Sequence, residues 1–271
     1  MFNQNKIPKI LHYVWMGKKE KPEYLIKNID SWKKTCPDYQ IKEWNEDNFD
    51  INKIPYVAKA YKAKKYAFVS DYVRLFALYN EGGIYLDTDV ELQKDFSPFL
   101  KKSFFAGFEN NVMVNLAVFG AEKNCPLLKN MLDYYKDRSF YKDKKEKRED
   151  LLPIPVPTTL LLKEYSFKTS GKKQENEGIL ILSKDYYYPT DCVSRKTSIT
   201  PNTRGNHQYA FSWVTNGQNK RDGFVRFILF VLREPLFRFS MGIYLKIRLK
   251  IYSFGLGKKL KKIKRLNEKG L

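Results

Sequence analysis

The sequence predicts an α/β fold. Residues 1–223 form a single domain with a central, mostly parallel sheet, and residues 224–271 form a basic amphipathic helical tail. Three observations predict this. Short apolar runs of strand character alternate with segments of helical periodicity, the pattern that covers a sheet with helices. Val69, Tyr72, Val73, Phe76 and Ala77 recur at helical spacing, and that helix runs into Gly82-Gly83 and the apolar Ile84-Tyr85-Leu86. Beyond Phe224, dense apolar residues are interrupted at short intervals by Arg and Lys.

With 271 residues the chain has ample material for a buried core. The formal charge of +20 is unevenly placed: residues 224–271 hold 13 Lys+Arg against 2 Asp+Glu, leaving +9 for the rest. A charge concentrated in the tail argues against a body-wide nucleic-acid surface, so no nucleic-acid partner is expected. Cys36, Cys125 and Cys192 stand apart, with no Cys-x-x-Cys pair, which points to reduced thiols rather than zinc. The first residues lack an apolar signal region, and no apolar run is long enough to span a bilayer. The expected location is cytoplasmic, peripheral on the inner face of the cell membrane.

In chain order, Ile7–Trp15 reads as a buried strand, Met16–Lys19 as the loop at its end, and Pro22 as the opening of a helix to about Lys34. The alternation from Tyr39 to Trp44 suits a half-exposed edge strand, with Trp32 and Trp44 as packing residues. His12, inside the first strand, is read as structural. Residues 53–66 form a Lys- and Tyr-rich helix. Ser70 suits an N-cap for the next helix, and Gly82-Gly83 ends it, since glycine accepts the left-handed turn at a helix end. Ile84–Leu86 is a short buried strand. Phe104–Phe108 and Val112–Phe119 are two more strands, Pro126–Lys136 a helix, 136–150 a solvated loop of mixed charge, Thr158–Tyr165 a helix and Ile179–Leu182 a strand.

The chemistry concentrates after Leu86. In extended chain, residues two apart share a side, so Asp87 and Asp89 present two carboxylates together while Thr88 faces away. Like charges that close need a positive partner, and a divalent cation with oxygen ligands is the obvious one. Asp71 and Arg74, three apart on the preceding helix, would by themselves be a surface ion pair. Trp15 lies at the carboxyl end of its strand, where ligands of open α/β sheets bind, and by position it is equally a rim tryptophan or a stacking platform. Asn115 puts an amide inside a strand, where it needs hydrogen-bond partners. His207 is one of two histidines, and a neutral imidazole can ligate manganese.

The ordered block Ser-Asp-x-x-Arg (Ser70–Arg74) and Gly-Gly-Ile-Tyr-Leu-Asp-Thr-Asp (Gly82–Asp89) resembles the glycosyltransferases with a DXD-containing sugar-binding region, glycosyltransferase family 32. That family includes yeast-type mannosyltransferases and bacterial capsule and lipopolysaccharide enzymes, with glucosylating toxins as distant relatives. The resemblance runs from about residue 7 to 213 in three blocks. It implies a GT-A-type nucleotide-sugar transferase fold. It implies a divalent metal, Mn2+ or Mg2+, held by Asp89, with Asp87 on the metal or the ribose. Asp71 and Arg74 would hold sugar hydroxyls. Trp15 ends an Ile-Pro-Lys-Ile-x-His-x-Val-Trp strand like the one whose Trp contacts the nucleotide. Asn115 would contact donor sugar or acceptor. The segment from His207 to Ser212-Trp213 is similar to one in which a polar residue completes the metal shell while Ser and Trp touch the donor phosphates. Gln208 stands where relatives often carry a second His.

The implied reaction moves a sugar from a nucleotide-diphosphate donor to a glycan or lipid-linked acceptor in surface polysaccharide synthesis, with retention of configuration. No carboxylate is assignable as a nucleophile, which favours front-face transfer. Residues between Asp137 and Lys184 match nothing identifiable and are expected to carry acceptor specificity. Two other readings stand beside this one. Asp87-Thr88-Asp89-Val90 also fits the Asp-x-Asp of haloacid-dehalogenase-like phosphatases, whose first Asp is a nucleophile, although that motif belongs after a first strand. A catalytically silent, membrane-attached sugar-nucleotide-binding protein is the third. The tail, with Arg226, Arg233, Arg238, Lys246, Arg248 and Lys250 among apolar residues and then Lys258–Arg265, suits an anionic membrane surface.

Overall fold

The computed structural model describes residues 4–141, 149–150, 152–192, 194–210 and 256–269. The chain opens with strand β1 (Ile10–Val14), helix α1 (Glu23–Thr35) and strand β2 (Gln40–Trp44), which pairs parallel to β1. Two helices follow, α2 (Pro55–Lys62) and α3 (Tyr66–Glu81). Then come β3 (Gly83–Leu86), β4 (Val90–Leu92), β5 (Phe104–Phe108), β6 (Val114–Ala121) and α4 (Pro126–Lys136). Helix α5 (Pro155–Glu164), strands β7 (Gln174–Asn176), β8 (Ile179–Leu182) and β9 (Gly205–His207), and helix α6 (Lys258–Glu268) complete the described elements.

The main sheet has seven strands in the order β2-β1-β3-β6-β5-β8-β7. Strands β2, β1, β3, β5 and β8 point one way, and β6 and β7 run against them. This is the predicted α/β class with a mostly parallel central sheet. Its strands alternate between two cores. Leu11, Ile84, Leu86, Leu180 and Leu182 face the α1 side, while Val14, Tyr85, Ile179 and Ile181 face α2, α3, α4 and α5. Both faces being covered explains why the strands read as nearly unbroken apolar runs.

Several local expectations change. The helix expected over 53–66 is the shorter α2, and Lys64, whose φ of 56° places it in the left-handed region, separates it from α3. Ser70 is no cap: α3 starts at Tyr66, so Ser70 lies inside it, buried, with Oγ 2.9 Å from the Tyr85 hydroxyl. The glycine stop holds, with Gly82 at φ 69° and Gly83 at φ 108°. A Cβ on Gly83 would lie 2.7 Å from the Ile10 carbonyl and 2.8 Å from His12 Nε2, so the β1–β3 contact itself requires glycine. Helix α5 begins earlier than expected, with Pro155 in its first turn.

Within the charged 136–150 stretch, Arg138 is buried rather than solvated. It bonds Asp150 at 3.1 Å and the Leu152 carbonyl at 2.9 Å, and lies over the rings of Tyr56, Tyr134 and Tyr135. Helix α6 packs against α4 and α5 with Leu260 fully buried. Lys264 Nζ donates to the Glu164 carbonyl at 2.7 Å, and Asn267 bonds Asn130 and Asp133. The end of the tail is thus docked on the body. Its stretch from Phe224 to Gly255 lies outside the described residues, and among the described residues no helix is long and apolar enough to cross a membrane.

Candidate functional site

The carboxyl ends of β1, β3 and β5 meet at one edge of the sheet. Strand β3 ends at Leu86, and Asp87 to Asp89 form a turn closed by Val90 N–H donating to the Asp87 carbonyl at 3.0 Å. The two carboxylates therefore converge through a turn, not through the extended alternation expected of the motif. Asp87 N–H is fixed on the Ala117 carbonyl, and the Thr88 carbonyl accepts from Asn28 Nδ2. After the turn, β4 pairs antiparallel with β9, with Val90 opposite His207. That pairing carries His207 to the motif: its Nε2 lies 3.3 Å from Asp89 Oδ1. Asp89 Oδ2 also accepts the Ala210 N–H at 2.8 Å.

Arg74 stands beneath Asp87. Its Nη2 lies 3.1 Å from Asp87 Oδ1 and 3.3 Å from Asp71 Oδ1, and Nη1 donates to the Leu116 carbonyl at 2.9 Å. The guanidinium lies over the Tyr85 ring, whose hydroxyl donates to Asp87 at 2.8 Å. Asp71 and Arg74 are only 7% and 5% exposed, which excludes the surface ion pair. Burial pushes the Asp71 carboxyl up to about 6 against the pull of Arg74. Burial likewise raises Asp87, with Arg74 opposing and Asp89 adding to the rise. Asp89 differs: burial works upward, but His207 and its hydrogen bonds outweigh it and hold the carboxyl below the ordinary aspartate range. His207 is held above its ordinary value, since Asp89 overcomes the cost of burial.

One ligand atom each from Asp87, Asp89 and His207 lies within 4.8 Å of the others. His207 Nδ1 is buried and has no hydrogen-bond partner. Two carboxylates and an imidazole this close together suit a divalent cation. Gln208 does not join them, because its side chain bonds Asn28.

The remaining expected residues fall as follows. Trp15 is half-buried just past β1, with Nε1 bonded to the Lys19 carbonyl. Asn115, on β6, donates to Glu109 at 2.6 Å and accepts from Ala117 N–H at 2.8 Å. Ser212 and Trp213 lie outside the described residues. Sequence reasoning missed Tyr85, Glu109 and Asn28. Tyr85 was legible only as an apolar strand residue, and Asn28 only as a helix position. Glu109 follows the β5 strand pattern directly, and that placement was its one available signal.

The fold and site thus define an α/β protein with a candidate metal centre at the carboxyl edge of its sheet, backed by a buried arginine–carboxylate network. Residues 22–106 match the family of glycosyltransferase sugar-binding regions containing a DXD motif, so the chain carries that region, as the block around Asp87 suggests. The match contains Asp71, Arg74, Asp87 and Asp89 and ends before Asn115 and His207. The chain is 33% identical over 117 residues to inositol phosphoceramide mannosyltransferase 3 of Schizosaccharomyces pombe, an alignment covering 40% of this chain and 33% of that protein. It spans about a third of that relative's length. It is 28% identical over 200 residues to an uncharacterized glycosyltransferase of Acanthamoeba polyphaga mimivirus, covering 70% and 76% of the two chains. Among solved structures it resembles a glycosyltransferase involved in glycosylating the major capsid of PBCV-1, with a TM-score of 0.46, 12% identity, and 81% and 100% of the chains covered.

Proposed function

We propose that this chain is a metal-dependent, retaining glycosyltransferase of the GT-A type. It takes a sugar from a nucleotide-diphosphate donor and passes it to a glycan or lipid-linked acceptor in surface polysaccharide synthesis. The observation that carries this reading is the Asp87, Asp89 and His207 cluster set directly against the buried Asp71–Arg74 pair. The DXD-region match, which contains Asp71, Arg74, Asp87 and Asp89, supports it.

Asp89 and His207, with Asp87 beside them, would hold Mn2+ or Mg2+. When bound, such an ion neutralises the charge that builds on the leaving diphosphate. Arg74 fixes Asp87 from below, and Tyr85 adds a second contact, so the carboxylates are positioned before a donor arrives. Asp71, buried beside Arg74, suits hydrogen bonding to sugar hydroxyls. Trp15 offers its ring to the base, and Ser212 and Trp213 serve the donor phosphates. The leaving diphosphate oxygen takes the acceptor proton in a front-face transfer.

The phosphatase reading is not favoured: Asp87 follows the third strand of the chain and is held by Arg74 and Tyr85 instead of standing free as a nucleophile. A silent binder has no use for a preformed metal cluster. We place the enzyme in the cytoplasm, peripheral on an anionic membrane surface, with the outward lysines of α6 supporting the contact.

The test is a donor screen. UDP-glucose, UDP-galactose and GDP-mannose, each with manganese or magnesium, are followed for nucleoside diphosphate release. Metal-dependent release from one donor is expected. Phosphate release from simple esters without any nucleoside diphosphate would replace this reading with the phosphatase.

A further inference from the structure

Glu109 has no role in the network described above. It follows β5, at the same sheet edge as Asp87, two strands away in the order β3-β6-β5. Its side chain is half-buried. Its polar contacts are Asn115 Nδ2 on Oε2 at 2.6 Å and Asn110 Nδ2 on Oε1 at 3.5 Å. Among the described residues no Lys or Arg pairs with it. The other carboxylates at this edge are all compensated: Asp71 and Asp87 by Arg74, Asp89 by His207. Asn115, which bonds Glu109, accepts at its carbonyl from the Tyr188 hydroxyl at 3.3 Å, and the Tyr188 ring packs against His207 with centroids 5.7 Å apart, so Glu109 sits beside the metal cluster without belonging to it. Leaving a carboxylate there without a Lys or Arg partner costs stability, and such cost is retained where a ligand uses the group.

We propose that Glu109 is the acceptor-binding carboxylate, accepting a hydrogen bond from a sugar hydroxyl of the acceptor. Asn115 holds it in place through the 2.6 Å bond, and Ala117 N–H fixes the amide from its other end. The inference rests on the glycosyltransferase reading above. The donor side already has its groups, in Asp71 and Arg74 for the sugar and the metal cluster for the diphosphate. A carboxylate takes hydroxyl hydrogen bonds strongly, and its loss weakens acceptor binding roughly tenfold or more.

Glu109→Gln and Glu109→Ala test it through three readouts: melting temperature, donor hydrolysis, and transfer to a panel of methyl glycosides with the donor found in the screen. Glutamine keeps an oxygen for Asn115 and removes the unpaired charge, so it should melt at or above the wild-type temperature. Donor hydrolysis should stay unchanged while the acceptor KM rises at least about tenfold. A clear fall in melting temperature for Glu109→Gln would make Glu109 a structural pin for Asn115 and overturn the proposal. Donor hydrolysis falling in step with transfer would assign it to the donor side and also overturn it. A wild-type chain that consumes no donor removes the transferase reading itself, an outcome distinct from either.

Discussion

Arg74 Nη2 lies 3.1 Å from Asp87 Oδ1, joining the middle of α3 to the turn that follows β3. With Asp71 on its other side, one buried cation serves a buried and a half-buried carboxylate. Removing it leaves both uncompensated, so Arg74→Ala should cost about 3–5 kcal/mol of stability as well as activity. A surface pair would cost far less, which makes Arg74→Ala a poor probe of sugar binding. Asp71→Asn is the better one. It keeps the shape and removes a charge that burial disfavours, so thermal melting at pH 8 should show no loss while donor hydrolysis falls. Unchanged hydrolysis would make Asp71 purely structural.

Asp89→Asn tests the metal. The backbone that places Asp89 is untouched, and the Ala210 N–H retains an oxygen to bond. The fold should survive, while turnover drops roughly a hundredfold or more. Excess chelator on the wild-type chain should do the same, with manganese restoring activity. Full activity in chelator would rule out metal dependence.

His12 gives a pH dependence with a definite sign. It is fully buried, accepts from Trp44 Nε1 at Nδ1 (3.0 Å), and bonds the Gly82 carbonyl through Nε2 at 2.9 Å, which fixes one neutral tautomer. Burial is the main cause that brings it down to about 4, from 6.5. Below pH 6.5 the unfolded chain therefore binds a proton that the folded one refuses. The stability present above pH 6.5 is lost as pH falls toward 4, by about 2 kcal/mol between pH 7 and pH 5. Urea denaturation at the two pH values should show this contribution, and His12→Gln should remove it at the cost of lower stability at pH 7.

The tail requires a gentler test than truncation. Cutting after Gly223 would also remove Leu260 from its place on the body, and burying such a leucine is worth about 2 kcal/mol. Lys261, Lys262 and Arg265 are exposed on α6. Replacing all three with Glu should leave the melting temperature nearly unchanged and reduce sedimentation with anionic vesicles at low salt. Undiminished vesicle binding would show that α6 plays no part.

The sequence by itself determined the elements that local chemistry specifies: strands from unbroken apolar runs, helix starts at Pro22 and Pro126, and the α3 stop at Gly82-Gly83. It also singled out Asp71, Arg74, Asp87 and Asp89 as candidate site residues, because together they form one ordered local block that resembles a DXD-containing sugar-binding region. Only the tertiary structure decided what those groups face. The burial of Arg74 depends on Leu116 and Tyr85, which arrive from other strands. His207 reaches Asp89 because β9 pairs with β4, a register between three-residue strands too short to carry a pattern of their own. Ser70, by sequence a cap, became a buried hydrogen-bond partner of Tyr85, and Arg138, by sequence a solvated charge, became part of the core. Periodicity and propensity act over a few residues, whereas burial and charge compensation are set by which distant segments pack together.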